Sequence, residues 1–198
     1  MKKIICMVAV IATSIVTFAQ KEIFQLNEFG VCEFVKAYDS PDDATTLYKK
    51  AKAWLSSANM NWTSTEDILN EKIAFNAFFN TAIRYNPFAG TFTQNLSLSG
   101  VFTIKKKKIE LIINNMRVTE TYSGYGQKVT ETTIEDKMKA LEEAYKTIQN
   151  GADPSLSKKQ QKELKEEAKE TIEDVEDVLT KAGEELQTRF AKLNNMFQ

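Results

Sequence analysis

Residues 92–104 read FTQNLSLSGVFTI, and apolar residues recur in them at even positions, between polar ones. Side chains on a β-strand point alternately to opposite faces of the sheet. This alternation therefore predicts a strand with one buried face and one face in contact with water. The positions expected on the buried face are Phe92, Leu96, Leu98, Gly100, Phe102 and Ile104.

The segments on either side predict strands of the same kind. Residues 73–85 alternate, and residues 109–113 resume the pattern after the four lysines at 105–108. Antiparallel strands with a single apolar face need a cover over that face. The positions of the first segment expected on the buried face are Ile73, Phe75, Ala77, Phe79, Ile83 and Tyr85.

Two irregularities are expected in this sheet. Residues 22–37, which are rich in aromatic and β-branched residues, predict an earlier strand that is broken or bulged at Gly30. Before Asn114 the apolar residues stand at odd positions, whereas beyond it they stand at even ones, Met116 and Val118. This change predicts a β-bulge in the last strand.

Residues 40–59 predict the helix that covers the sheet. Ser40 is the expected N-cap, with Pro41 at the first helical position and Asp42 and Asp43 in the first turn. Apolar residues then recur at helical spacing, and the helix is expected to end near Asn59–Asn61. These residues are Leu47, Ala51, Trp54, Leu55 and Ala58. The predicted fold class is α+β, an antiparallel sheet with a helix packed on one face.

The character of the chain changes at Ile134, and residues 134–198 predict a C-terminal helical hairpin. The first helix is short, whereas the second is long, highly charged and marked by an apolar seam that repeats every seven residues. The seam runs past the end of its shorter partner, and a bare seam is unusual on a soluble monomer. We expect it to pack on the α+β domain, with self-association through residues 172–193 as the alternative.

Residues 1–19 predict a cleavable signal peptide. Lys2 and Lys3 precede an uncharged, mainly apolar run, and Thr17-Phe18-Ala19 places small residues where signal peptidase cuts. The run of about 15 residues is shorter than the roughly 20 that span a bilayer. We expect cleavage after Ala19, a periplasmic or secreted product without a transmembrane segment, an α+β domain over 20–133 and the hairpin over 134–198.

The stretch 46–55, TLYKKAKAWL, resembles a known family. It is similar to secreted Bacteroidetes proteins that carry an uncharacterised domain of TBP-like fold, and the Asp67 region and the hairpin 102–113 support the match over residues 23–120. The family often has a Lys-Asp-Gly-Lys turn in that hairpin, where this chain has Lys105–Lys108. The resemblance implies an antiparallel sheet with helices on one face, and it implies no activity.

Composition excludes several classes of function. Residues 20–198 hold 24 basic and 27 acidic residues, a net charge of −3, which argues against a nucleic-acid partner. The chain has no histidine, which removes His-activated nucleophiles and most zinc sites, so we expect no metal and no cofactor. Only Cys32 remains after residue 19, which rules out an intramolecular disulfide.

Aromatic residues beside turn formers are the candidate binding residues. Exposed rings in loops often mark partner contacts, although such rings also fold back over the end of a sheet. The candidates are Tyr85, Phe88, Phe92, Tyr122 and Tyr125. We therefore expect an exported, non-enzymatic binding or structural protein of the cell envelope, with a protein or glycan partner. The alternative is a hydrolase that uses carboxylates only, such as a glycan-acting enzyme.

Overall fold

A computed structural model of the protein describes residues 24, 26–86, 90–124, 126–150 and 155–197. This part of the chain contains six strands and three helices, and the predicted signal segment 1–19 lies outside it. The elements are β1 (Phe34–Asp39), α1 (Ala44–Ser57), β2 (Asn61–Ile68), β3 (Lys72–Asn86), β4 (Gly90–Lys105), β5 (Lys108–Gly124), β6 (Gly126–Thr133), α2 (Ile134–Asn150) and α3 (Lys158–Phe197).

The strands form one antiparallel sheet in the order β1-β5-β4-β3-β2, and β6 pairs with the second half of β5. The helices pack on the face formed by the even positions of β4, which confirms the predicted α+β class. Gly100 lies at the centre of this face under the ring of Phe75. A Cβ atom at position 100 would lie 2.3 Å from that ring, so only glycine leaves room for it.

The helix α1 starts later than the sequence predicts, and Ser40 is not its N-cap. The cap is Asp43, whose carboxylate accepts a hydrogen bond from the Thr46 N–H at 2.7 Å. The N–H of Ser40 donates to the carbonyl of Lys107 at 3.0 Å, which ties this residue to the β4–β5 turn and keeps it outside the helix. The chain therefore offers two good capping residues, and the second one is used.

Trp54 anchors α1 in the core. Its ring meets Phe75 and Phe102 edge-on, with centroid separations of 6.4 and 5.6 Å. Its indole N–H donates to the carbonyl of Arg189 on α3 at 3.0 Å. One side chain therefore joins α1, the sheet and α3.

The long helix α3 packs on the sheet and α1 of the same chain. Phe190 stacks on Phe34 with ring centroids 4.1 Å apart, and the Tyr38 hydroxyl donates to Asn194 Oδ1 at 2.6 Å. The seam residues Val175, Val178, Leu179, Ala182, Leu186, Phe190 and Leu193 are buried in the common core. The seam therefore packs within its own chain, as expected. No helix in the described part is long and apolar enough to cross a membrane.

Two β-bulges change which side chains of the long strands face the core. The predicted bulge in β5 is confirmed, since the register with β4 shifts beyond Asn114 and Met116 and Val118 are buried. A second, unpredicted bulge in β3 shifts the register at Thr81. Beyond it the parity is reversed, so Ile83 and Tyr85 are 62 % and 75 % exposed, and placing them on the buried face was wrong.

The segment before β1 is a closed turn in place of a long strand. Leu26 and Cys32 form an isolated antiparallel bridge around Gly30, which has a φ of +73°. The Cys32 N–H donates to Glu135 Oε1 on α2 at 2.7 Å. Burial, and to a lesser degree the Glu135 carboxylate, raises the pKa of the Cys32 thiol to about 12. This thiol is therefore buried and unreactive in the folded protein.

Candidate functional site

A cavity of about 510 Å³ opens where the β3–β4 hairpin and the second half of β5 meet α2 and α3. We call it the end cavity. Three of the predicted site residues, Tyr85, Phe92 and Tyr122, line it together, whereas Phe88 and Tyr125 lie outside the described residues. The side chains that line it with those three include Arg84, Gln94, Glu120, Lys137, Asp174 and Asp177.

The aromatic wall of the end cavity is a pair of rings in contact. Phe92 and Tyr122 have centroids 4.8 Å apart and planes inclined by 48°. Both rings are partly accessible, and Tyr85 is exposed beside them. Burial raises the pKa of the Tyr122 phenol, the carboxylates of Glu120 and Asp174 raise it further, and the Arg84 guanidinium partly opposes them. The rings thus lie among charged groups of both signs.

Ion pairs form another part of the wall. Arg84 Nη2 lies 2.5 Å from Asp177 Oδ2, and the same oxygen lies 2.6 Å from Lys181 Nζ. Lys137 Nζ lies 3.0 Å from Glu120 Oε2, and each of these side chains is only 15 % exposed. An arginine and a lysine keep further N–H donors after one such contact, and carboxylates keep further lone pairs. The cavity therefore offers both donors and acceptors to a ligand.

Gln94 is the most buried side chain of the lining, at 1 % exposure. Its amide nitrogen donates to Thr81 Oγ1 at 2.7 Å and to the Val178 carbonyl at 3.5 Å. A carbonyl oxygen can only accept, so this pairing fixes which end of the amide faces α3. The other end, Oε1, has no hydrogen-bond partner in the described part of the chain. A buried acceptor in that state costs about 1–3 kcal/mol.

Gly90 sets the spacing between β4 and β5 at the mouth of the end cavity. It has a φ of +90°, and a Cβ atom there would lie 1.7 Å from the carbonyl oxygen of Ser123. The neighbouring Thr91 N–H donates to Ser123 Oγ at 3.3 Å. Glycine therefore lets β4 approach β5 closely beside Tyr122.

Sequence reasoning missed the polar half of the end cavity. Gln94 carried a signal, because it is the polar residue at an even position of the segment 92–104, on the face expected to be buried. No such signal marked Asp174 and Asp177, because they belong to a long run of charged residues that is typical of a solvated helix face. In the described ranges, no group of three or more His, Cys, Asp or Glu residues is arranged to hold a metal ion.

No protein-family model and no curated protein sequence matches the chain. Among solved structures, it is similar to a TBP-like protein from Parabacteroides distasonis ATCC 8503, with 13 % identity, a TM-score of 0.41, and coverage of 85 % of this chain and 97 % of that one. It is also similar to a DUF4468 family protein from Bacteroides ovatus ATCC 8483, with 10 % identity, a TM-score of 0.40, and coverage of 87 % and 93 %. These neighbours are Bacteroidetes proteins of the kind that residues 46–55 resemble.

Proposed function

We propose that the protein is an exported, non-enzymatic binding protein of the bacterial cell envelope, and that its end cavity binds a glycan. One observation carries the proposal. The end cavity joins partly exposed aromatic rings to side chains that donate hydrogen bonds and side chains that accept them. The signal-like segment 1–19 supports export.

A sugar matches this chemistry. A pyranose ring has a face of C–H bonds that packs on an aromatic ring, and each of its hydroxyl groups both donates and accepts. The rings of Phe92 and Tyr122 supply the apolar surface, while Arg84 and Asp174 supply a donor and an acceptor. The volume of about 510 Å³ lies within the range of roughly 300–1,000 Å³ that is typical of small-molecule sites.

The test is calorimetric titration of the purified protein with oligosaccharides released from the envelope of the native host. Tyr122→Ala should weaken binding at least about tenfold, since an anchoring aromatic residue commonly contributes more than 1 kcal/mol. Phe29→Ala is the matched control, because Phe29 is an exposed aromatic residue that is not part of the cavity lining. Equal affinity for the parent protein and Tyr122→Ala would rule out the end cavity as the site.

A second candidate function is hydrolysis by carboxylates alone, because Glu120, Asp174 and Asp177 line the same cavity. Glycoside hydrolysis needs one carboxyl group as a proton donor and a second as a base or nucleophile. Glu120 is paired with Lys137, and Asp177 is paired with Arg84 and Lys181. Release of new reducing ends from a bound glycan, abolished by Asp174→Asn, would establish the enzyme. Binding without release would support the first proposal.

A further inference from the structure

The face of the sheet opposite the helices carries a second cavity of about 440 Å³ over the start of β2 and the middle of β3, β4 and β5. We call it the open-face cavity. None of its lining residues is charged. The ring of Phe78, which is 52 % exposed, lies among amide and hydroxyl side chains. These are Asn61, Thr63, Asn76, Ser97, Ser99 and Asn115.

Strand register arranges these groups in two rows. In one row Thr63 lies opposite Asn76, which lies opposite Ser99. In the other, Asn61 lies opposite Phe78, which lies opposite Ser97. Neighbouring strands are about 4.8 Å apart, so each row presents a polar group at regular, short intervals.

The β5 bulge adds Asn115 to the end of the first row. Asn115 has a φ of +50°, a conformation that bulges use to redirect a side chain. Its amide nitrogen donates to Ser99 Oγ at 3.4 Å, and Ser99 Oγ donates to Asn76 Oδ1 at 2.9 Å. These bonds hold the amide of Asn76 in one orientation.

Several polar atoms of the open-face cavity are left for a ligand. In the described ranges, the side chains of Asn61 and Thr63 and the amide nitrogen of Asn76 make no hydrogen bond within the protein. An asparagine side chain both donates and accepts, and so does a threonine hydroxyl. The unused groups are therefore neutral and include donors and acceptors side by side.

We propose that the open-face cavity is a second binding site, and that its ligand is an uncharged glycan. The C–H face of a sugar ring would rest on Phe78, and its hydroxyl groups would exchange hydrogen bonds with Asn61, Thr63 and Asn76. One charged side chain lies at the edge of the cavity: Arg117 Nε donates to Asn115 Oδ1 at 3.4 Å, and its guanidinium is already paired with Glu131 at 3.0 Å. An ionic ligand would therefore lose hydration there without meeting a charge that is not already paired, and a nucleic acid would have one basic contact at most. A protein interface has an apolar centre and a polar rim, whereas here a single ring is surrounded by polar groups.

This site is independent of the end cavity. Tyr85 lies seven positions after Phe78 on β3, a distance of about 23 Å along a strand. The two cavities also differ in charge, because the end cavity is lined by ion pairs and the open-face cavity by neutral groups. A variant in one should therefore leave binding at the other unchanged.

The experiment is saturation-transfer NMR and calorimetry with the tetrasaccharides of glucose, mannose and N-acetylglucosamine, which are all uncharged. At least one should bind, and both Phe78→Ala and Asn76→Ala should weaken that binding fivefold or more. Ile83→Ala is the control, since Ile83 is exposed on the same strand and lies outside the open-face cavity. Urea unfolding of each variant separates loss of binding from loss of structure.

Tyr122→Ala distinguishes the two sites. If the uncharged tetrasaccharide still binds to Tyr122→Ala but no longer binds to Phe78→Ala, the open-face site is supported. This holds whether or not the end cavity binds a glycan. If none of the three tetrasaccharides binds, or if Phe78→Ala and Asn76→Ala bind as tightly as the parent protein, the open-face proposal is wrong. Loss on Tyr122→Ala alone would assign the uncharged glycan to the end cavity and leave the first proposal standing.

Discussion

Trp54 is the residue whose replacement should cost the fold most. Its side chain is buried, packs on Phe75 and Phe102 and donates to the Arg189 carbonyl. Trp54→Ala should lower the free energy of unfolding by about 3–5 kcal/mol, because it removes a large buried ring and leaves a cavity. Urea unfolding followed by circular dichroism measures this loss.

Trp54→Phe separates packing from hydrogen bonding at the same position. It keeps an aromatic ring but has no N–H for the Arg189 carbonyl, so it should cost less than the alanine variant, about 1–3 kcal/mol. A loss below about 1 kcal/mol for Trp54→Ala would contradict the buried position of the indole ring.

The burial of Arg189 could not be predicted from the residues around it in the sequence. It belongs to a charged helix, yet its side chain is buried and its guanidinium lies 3.7 Å from the centroid of the Phe79 ring. Its Nη1 donates to Glu185, and its Nη2 donates to the Asn59 carbonyl at 3.3 Å. An arginine buried by several elements has the same sequence context as a solvated one, so only the tertiary structure identifies it.

At the scale of elements, Asp67 fastens α1 to β2. The Tyr48 hydroxyl donates to Asp67 Oδ1, and Lys52 Nζ donates to Asp67 Oδ2 at 2.5 Å. The contacts with Lys52 and then Tyr48 hold the pKa of Asp67 below its usual range. They also give two of the residues in the stretch 46–55 a structural role.

This lowered pKa predicts a stability change in acid. A carboxylate with a lower pKa in the folded state stabilises the fold at pH values above its unfolded pKa, near 3.9. That contribution is lost as the pH falls below about 4 and through the folded pKa. The difference in unfolding free energy between the parent protein and Asp67→Asn should therefore shrink from pH 6 to pH 2. A difference that stays constant over this range would contradict the ion pair.

The sequence predicts elements well where one face is buried and poorly where none is. The strands β3, β4 and β5 follow from their alternation, because their inward residues are apolar and their outward residues polar. The strands β2 and β6 were missed, since NWTSTEDI and GQKVTETT are exposed along nearly their whole length. An edge strand held mainly by backbone hydrogen bonds leaves little periodic signal.

The candidate site follows the same rule. Its aromatic half, Tyr85, Phe92 and Tyr122, was predicted from rings placed near turns. Its polar half comes from α2 and α3, and nothing local in the sequence says that Lys137, Asp174 and Asp177 meet β4 and β5. The bulge at Thr81 was also invisible, because the polar and apolar pattern of residues 73–85 looks continuous across it.

The whole molecule depends on a single core to which the C-terminal helices contribute a large share. The buried cluster contains Trp54 and Phe102 together with Leu179, Leu186 and Leu193 of α3. Deleting residues 134–198 would expose the apolar face of the sheet to water. We therefore predict that the protein truncated after Thr133 unfolds or aggregates, whereas the full-length protein is monomeric.

Light scattering and circular dichroism on both proteins test this prediction. A truncated protein that is as folded and as monomeric as the full-length one would show that α3 contributes little to the fold. If the full-length protein is a dimer and the truncated protein is a folded monomer, the helices serve self-association instead. That result would contradict the prediction.

The rate at which the Cys32 thiol is modified measures how often the protein opens around it. Cys32 is the only cysteine among the described residues, and its thiol is buried and has a pKa of about 12, so an alkylating reagent can react only when the turn 26–32 separates from α2. The rate of modification, divided by the rate for a free thiol at the same pH, then gives the equilibrium constant for that opening. Labelling should be slow in the parent protein and much faster in Trp54→Ala if the turn opens only with the core. Equal labelling rates in the parent protein and Trp54→Ala would mean that the turn opens locally while the sheet stays folded.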